Sequence, residues 1–192
     1  MDARSGRDRI LRAALTCFAR DGAATTTLTA LRAEAGVSVG SFYHHFQSKE
    51  EVVAALFTDA LAGYHRAFLA ELRRHPAPGD AVAAGVALHV RWCLDHPQEA
   101  RFLLMERPPQ RDEPGAEALA AQNRDFFTEI RAWWRIHEHH GALRPLDLPT
   151  AAALWLGPAQ ELCRSWATGR LPEPTTAQLD VLADAARRAL CR

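Results

Sequence analysis

The chain has 192 residues, 48% of them apolar, with 23 basic and 23 acidic side chains that cancel. That length buries one good core or two small ones without covalent staples, and the neutral balance, taken over the whole chain, argues against a nucleic-acid binder. Cys17, Cys93, Cys163 and Cys191 are scattered without a C-x-x-C pair, no apolar run approaches the roughly 18 residues that cross a bilayer, and the polar start Met1-Asp2-Ala3-Arg4 does not read as a targeting segment. A soluble protein of a reducing cytoplasm is expected, with no membrane partner.

The charge is unevenly spread. Residues 1–49 carry seven basic side chains (Arg4, Arg7, Arg9, Arg12, Arg20, Arg32, Lys49) against four acidic ones (Asp2, Asp8, Asp21, Glu34), an excess of three that the rest of the chain offsets. Such an excess can serve a local phosphate footprint.

No stretch alternates with period two, whereas helical spacing recurs throughout, broken by short Gly and Pro punctuation, so an all-α fold of about nine helices is expected. The first helix opens at Ser5 with Asp8 as capping partner, buries Ile10, Ala14, Cys17 and Phe18, and stops at Gly22. A short second helix follows Thr26-Thr27 and ends at Gly36. The third starts from Ser38 as N-cap and runs to about His45. Ser48 and Glu51 form a capping box for a long fourth helix through Val53, Leu56, Tyr64, Phe68 and Leu72, ended by His75-Pro76. Further helices are placed at Asp80–Asp95, at Pro97–Arg107, from the end of a polar stretch, Gln110 to Gly115, to about His140, at Thr150–Thr168 with a kink at Pro158, and at Thr176–Leu190.

Two short helices joined by Ala35-Gly36-Val37-Ser38 fit a helix-turn-helix: Gly36 can take positive φ in the turn and Ser38 caps the second helix. That helix is poor in core material, offering Val39, Gly40, Ser41, Tyr43, His44 and His45 around Phe42 and Phe46. Tyr43, His44 and Lys49 carry donors suited to phosphate oxygens. Val39 and Ser41 are small enough to meet base edges or a thymine methyl. Phe42 and Phe46 seal the corner with the fourth helix, and His45 either contacts DNA or caps the helix C-terminus.

The run from Gly36 to Glu50, GVSVGSFYHHFQSKE, with the preceding stretch from Thr26-Thr27 to Ala35, closely resembles the TetR family of transcriptional regulators over about a quarter of the chain. The resemblance implies a DNA-binding domain at 1–48, a ligand-binding and dimerisation domain at 49–192, and DNA contacts from Thr27, Ser38, Val39, Gly40, Ser41, Tyr43, His44 and Lys49. Leu31-Arg32 departs from the family pattern, which has an aliphatic residue and then Ala, so Arg32 is free to face phosphate. The resemblance also implies that the last two helices pair with their copies in a homodimer, through Trp155, Ala159, Leu162 and Trp166 on one stripe and Leu179, Leu182, Ala183 and Ala186 on the other.

In the C-terminal body, aromatic rings with a few polar atoms are dense enough to form a concave apolar site as well as ordinary core. The residues expected to hold a small apolar effector are Tyr64, Phe68, His89, Trp92, Cys93, Phe102, Met105, Phe127 and Trp133. His137, His139 and His140 have metal-ligand spacing but end a helix before Gly141 with no completing ligand, so no metal and no cofactor is expected. No nucleophile elbow, phosphate loop or aspartate-rich box points to an enzyme. The expected function is a homodimeric repressor released from a palindromic operator by its effector. The alternative is a DNA-binding helix-turn-helix protein that answers to no ligand.

Overall fold

A computed structural model describes residues 3–192 and the side chains of residues 6–192; the expectations resting on Met1 and Asp2 lie outside the described residues. The described chain forms nine α-helices: α1 (Ala3–Asp21), α2 (Leu28–Ala35), α3 (Val39–His45), α4 (Lys49–Arg74), α5 (Pro78–Asp95), α6 (Pro97–Met105), α7 (Ala116–His139), α8 (Leu148–Ala167) and α9 (Thr176–Leu190). No strand forms among the described residues, although Leu143 and Cys191 make one isolated antiparallel bridge that pins the chain end beside the α7–α8 connection.

Three helices begin earlier than the spacing suggests. Ser5 lies inside α1 rather than ahead of it. Pro78 occupies the first turn of α5, where its missing N–H costs nothing, so α5 begins two residues before Asp80. Asp147, not Thr150, caps α8: its carboxylate accepts from the Thr150 N–H at 3.0 Å. At α4 the Ser48 hydroxyl accepts from the Glu51 N–H at 3.1 Å as a capping box requires, but the Glu51 carboxylate reaches one residue further back, to the Gln47 N–H at 2.7 Å.

The helices pack as two compact units, Met1–Ala62 with Gln98–Gln122, and Gly63–Pro97 with Asn123–Arg192. The border expected at Ser48 therefore falls within the first unit. The first unit's core gathers Ile10, Ala14, Cys17 and Phe18 of α1, Leu31 of α2, Phe42 of α3, Phe46, then Val52, Leu56 and Phe57 of α4. Phe102 from α6 completes it, stacked on Phe18 and tilted on Phe57 with ring centres 6.1 and 4.7 Å apart. Each fully buried aromatic contributes about 1.5–3 kcal/mol, which is how helices as short as α2 and α3 hold their shape.

In the second unit α5 packs on both α8 and α9, and α8 packs on α9. The Trp155 indole of α8 donates to the Val82 carbonyl of α5 at 2.9 Å and lies over Gly85. A Cβ at Gly85 would stand 3.1 Å from that indole and 3.2 Å from Phe68, so glycine makes room for the crossing. Trp155, Ala159 and Ala186 are thus buried inside one chain and cannot form the outward interface stripe assigned to them; Leu162, Trp166, Leu179, Leu182 and Ala183 are only half-buried. Two of the latter, Leu162 and Leu182, line an exposed apolar groove between α8 and α9 together with Pro158, Ala177, Gln178 and Val181.

Candidate nucleic-acid interface and buried polar cluster

The turn between α2 and α3 is built as its residues dictate. Gly36 is left-handed (φ 61°), its N–H donates to the Ala33 carbonyl, and the Val37 N–H reaches back to Arg32 at 3.1 Å, closing α2. Thr27 caps α2 by accepting from the Ala30 N–H, and Ser38 caps α3 by accepting from Ser41, both at 3.1 Å. With these groups satisfied and Phe42 fully buried beneath, α3 turns Val39 (50% exposed), Gly40, Tyr43 (44% exposed) and His44 outward, with Ser41 half-buried among them. Thr27, the N-cap of α2, and Ser38, the N-cap of α3, are exposed as well. Seven of the eight expected DNA-contact residues therefore keep solvent-accessible surface.

Lys49 differs. Its ammonium donates to the carbonyls of Ala23 at 2.6 Å and Thr26 at 3.0 Å, with Ala24 at 3.5 Å. The same turn is held from the end of α6, where the Glu106 carboxylate accepts from the Ala23 N–H at 2.9 Å. Lys49 is a strut for the α1–α2 connection rather than the free phosphate donor expected. Arg32 is half-buried and its Nε has no partner among the described residues. His45 packs under α1, where a Cβ at Gly6 would meet its Nε2 at 2.5 Å, so it serves the α1–α3 contact.

The effector residues do not all come together. Phe102 belongs to the first unit's core, and Met105 and Phe127 are exposed. The others meet in the second unit: Tyr64 lies 5.8 Å from Phe68 and 5.3 Å from Trp92 by ring centres, Phe68 packs on Trp155 at 5.4 Å, and Trp133 stacks on Trp155 at 5.7 Å. The Tyr64 hydroxyl is 2.9 Å from His89 Nδ1, and burial, with Cys93 and Cys163 nearby, raises its pKa well above the ordinary tyrosine value. His137, singled out with His139 and His140, packs on Trp133 at the end of α7. Sequence reasoning misses Cys163, whose sulfur lies with the His89 and Cys93 donor atoms in one buried group.

His65 lies flat on Phe126, ring centres 3.8 Å apart, with Nδ1 buried and unpartnered among the described residues. Burial lowers its pKa from 6.5 to about 4. A depressed folded value means the neutral ring's contribution to stability is whole above about pH 6.5 and is lost as pH falls towards 4. Thermal melts of the second unit are expected to weaken across that window, and His65→Phe is expected to flatten the dependence. Parallel curves for variant and wild type would assign the acid response to other groups.

Residues 10–56 match the family model for bacterial regulatory proteins of the TetR family. Over 57 residues the chain is 44% identical to the HTH-type transcriptional repressor KstR2 of Mycolicibacterium smegmatis, a segment covering 30% of this chain and 28% of that repressor's length. A TetR family transcription regulator from Marinobacter aquaeolei VT8 superposes with a TM-score of 0.81 at 18% identity, over 98% of this chain and 96% of that one. The TetR family regulator PfmR of Thermus thermophilus superposes at 0.71 and 22% identity, over 95% of each chain. Residues 10–56 thus match the DNA-binding segment of the TetR family of bacterial regulatory proteins, and the chain as a whole has the fold of solved TetR family regulators, while its sequence match spans under a third of the length of the curated repressor.

Proposed function

We propose that the chain is a homodimeric repressor that reads a palindromic DNA operator through α3 and is released by a small apolar effector. The carrying observation is the ridge of α3: small and donor-bearing side chains are exposed on a seven-residue helix that is anchored by a buried Phe42. The repressor KstR2 is 44% identical to this chain over 57 residues, which supports the reading. Selecting bound duplexes from a random library tests it. A palindromic consensus is expected; recovery of unrelated sequences with no two-fold pattern would overturn it.

In this reading Tyr43 and His44 fix register on phosphates while Val39, Gly40 and Ser41 approach base edges. Tyr43→Phe is expected to weaken every duplex alike, by about 1.5 kcal/mol or roughly tenfold, because a hydrogen bond to a charged oxygen is lost without touching readout. Binding curves on consensus and scrambled duplexes check this; a loss confined to the consensus would make Tyr43 a base reader.

The effector enters, in the same proposal, by parting rings that now touch around Tyr64, Phe68, Trp92 and Trp133. α4 carries Tyr64 and Phe68 and is continuous to Lys49, so a ligand that favours one setting of this helix shifts the population of reading states. A coupling of about 2 kcal/mol weakens operator binding roughly thirtyfold at saturation. Trp133 is half-buried, and Trp133→Ala is expected to keep operator affinity while losing the response to an effector found by screening. A normal response in that variant would place the effector elsewhere.

A further inference from the structure

We infer that His89, Cys93 and Cys163 form a binding site for a thiophilic metal ion in the core of the second unit. His89 and Cys93 stand four residues apart on α5 and so share one face of the helix; Cys163 comes from α8, which packs against that face. The imidazole nitrogen and the two sulfurs lie within 4.8 Å of one another, and all three residues are buried.

The spacing suits an ion. With metal–sulfur bonds of about 2.3 Å and a metal–nitrogen bond of about 2.0–2.1 Å, an ion shared by these donors sets nitrogen and sulfur roughly 3.5–3.8 Å apart and the two sulfurs roughly 3.8–4.0 Å apart. His89 Nε2 and Cys93 Sγ are already 3.9 Å apart. Closing on an ion therefore takes shifts of tenths of an ångström to under one ångström, within the reach of side-chain torsions.

The surroundings point the same way. His89 Nδ1 is engaged with the Tyr64 hydroxyl at 2.9 Å, which leaves Nε2 to the two sulfurs, with Cys93 Sγ 3.9 Å away and Cys163 also interacting with the ring. Thiols are weak hydrogen-bond partners for a buried ring nitrogen, and an ion would supply a stronger one. It would also fix the tautomer, with Nδ1–H donating to Tyr64, the outer-shell arrangement that orients metal-bound histidines.

Donor type and charge narrow the occupant. Two thiolates and one imidazole disfavour Mg2+ and Ca2+, which take oxygen ligands, and favour Zn2+ or Cu+. Binding of Zn2+ releases the two thiol protons to solvent and leaves a centre with no net charge, which an apolar core tolerates. Cu+ leaves one negative charge unless one sulfur keeps its proton. No electron is transferred in either case and no oxidant is needed. The inference stands apart from the DNA-reading proposal, since nothing in it depends on an operator.

The test uses the full chain under reducing conditions. Titration with Co2+ is expected to produce sulfur-to-metal charge-transfer absorption that saturates at one ion per chain, and Zn2+ is expected to abolish it by displacement. Cys93→Ala and Cys163→Ala should each weaken that band, while Cys17→Ala and Cys191→Ala retain it. Should a core variant fail to fold, X-ray absorption on the zinc-loaded wild type decides alone, with two sulfurs and one imidazole nitrogen expected around the ion. Stoichiometric displacement of Zn2+ by Cu+ would name the monovalent ion as preferred occupant of the same site. Absent charge-transfer bands, a shell of oxygen and nitrogen only, or bands that survive in both folded cysteine variants would overturn the inference. So would a Cys93–Cys163 disulfide forming in air in a chain that takes up no metal when reduced.

Discussion

In the proposed homodimer, Val181→Asp is expected to leave each chain folded while converting dimer into monomers and reducing affinity for the proposed operator by roughly 10² to 10⁴-fold. Val181 is 68% exposed, the most exposed large apolar side chain described, and sits on the α8–α9 groove with Pro158, Leu162 and Leu182. A surface substitution of this kind changes monomer stability by about 0.5 kcal/mol or less. At a two-fold interface, however, the same carboxylate appears twice and is removed from water without a partner. Operator binding then suffers because one half-site is left to act alone, and the advantage of linking two sites, about 10² to 10⁴, disappears. Sedimentation separates this from unfolding: a monomer with the wild-type helical spectrum is expected. If the wild type is itself monomeric at micromolar concentration, or the variant dimerises normally, the groove is not the interface.

The contrast with Ala159 and Ala186 is instructive. Both lie on apolar stripes with helical spacing, and both are buried inside the chain, so a charge there is expected to unfold the second unit rather than split a dimer. Periodicity locates an apolar stripe but not the surface it covers. α8 is apolar on more than one side; it uses Trp155, Ala159 and Cys163 within the chain and leaves Pro158 and Leu162 outward. Nothing in the spacing distinguishes the two uses.

The reading head is far more legible because local chemistry specifies it. Thr27, Gly36 and Ser38 each act on backbone groups within a few residues, so type and spacing suffice to predict caps, turn and the exposure of α3. Lys49 escapes such reasoning because its partners, the carbonyls of Ala23 and Thr26, lie two helices away in sequence. Phe102 falls among the expected effector residues for the same reason: aromatic density is visible in sequence, but which unit a ring joins is a tertiary fact. The buried donor group leaves half a signal. His89 and Cys93 show ligand spacing on one helix, whereas Cys163 arrives only through the packing of α8 on α5.

Phe42→Ala is expected to unfold the reading head and spare the second unit. Phe42 is fully buried at the centre of the first unit, beside Phe46 and Tyr43 with ring centres 6.2 and 5.6 Å away. Truncating a buried Phe costs about 3–5 kcal/mol through lost burial and the cavity left behind. That is a large share of the roughly 5–15 kcal/mol holding a domain together. In a unit of this size each kcal/mol lowers the melting temperature by about 4–8 °C. All five tryptophans, Trp92, Trp133, Trp134, Trp155 and Trp166, fall in the second unit, so their fluorescence reports that unit alone while far-ultraviolet dichroism reports both. The variant should show an early loss of helical signal, followed by a fluorescence transition at the wild-type temperature, with operator binding abolished even before heating. A fluorescence transition that falls in step with the dichroism would show that the two units unfold as one, carried together by α4 and α7, each of which has residues in both.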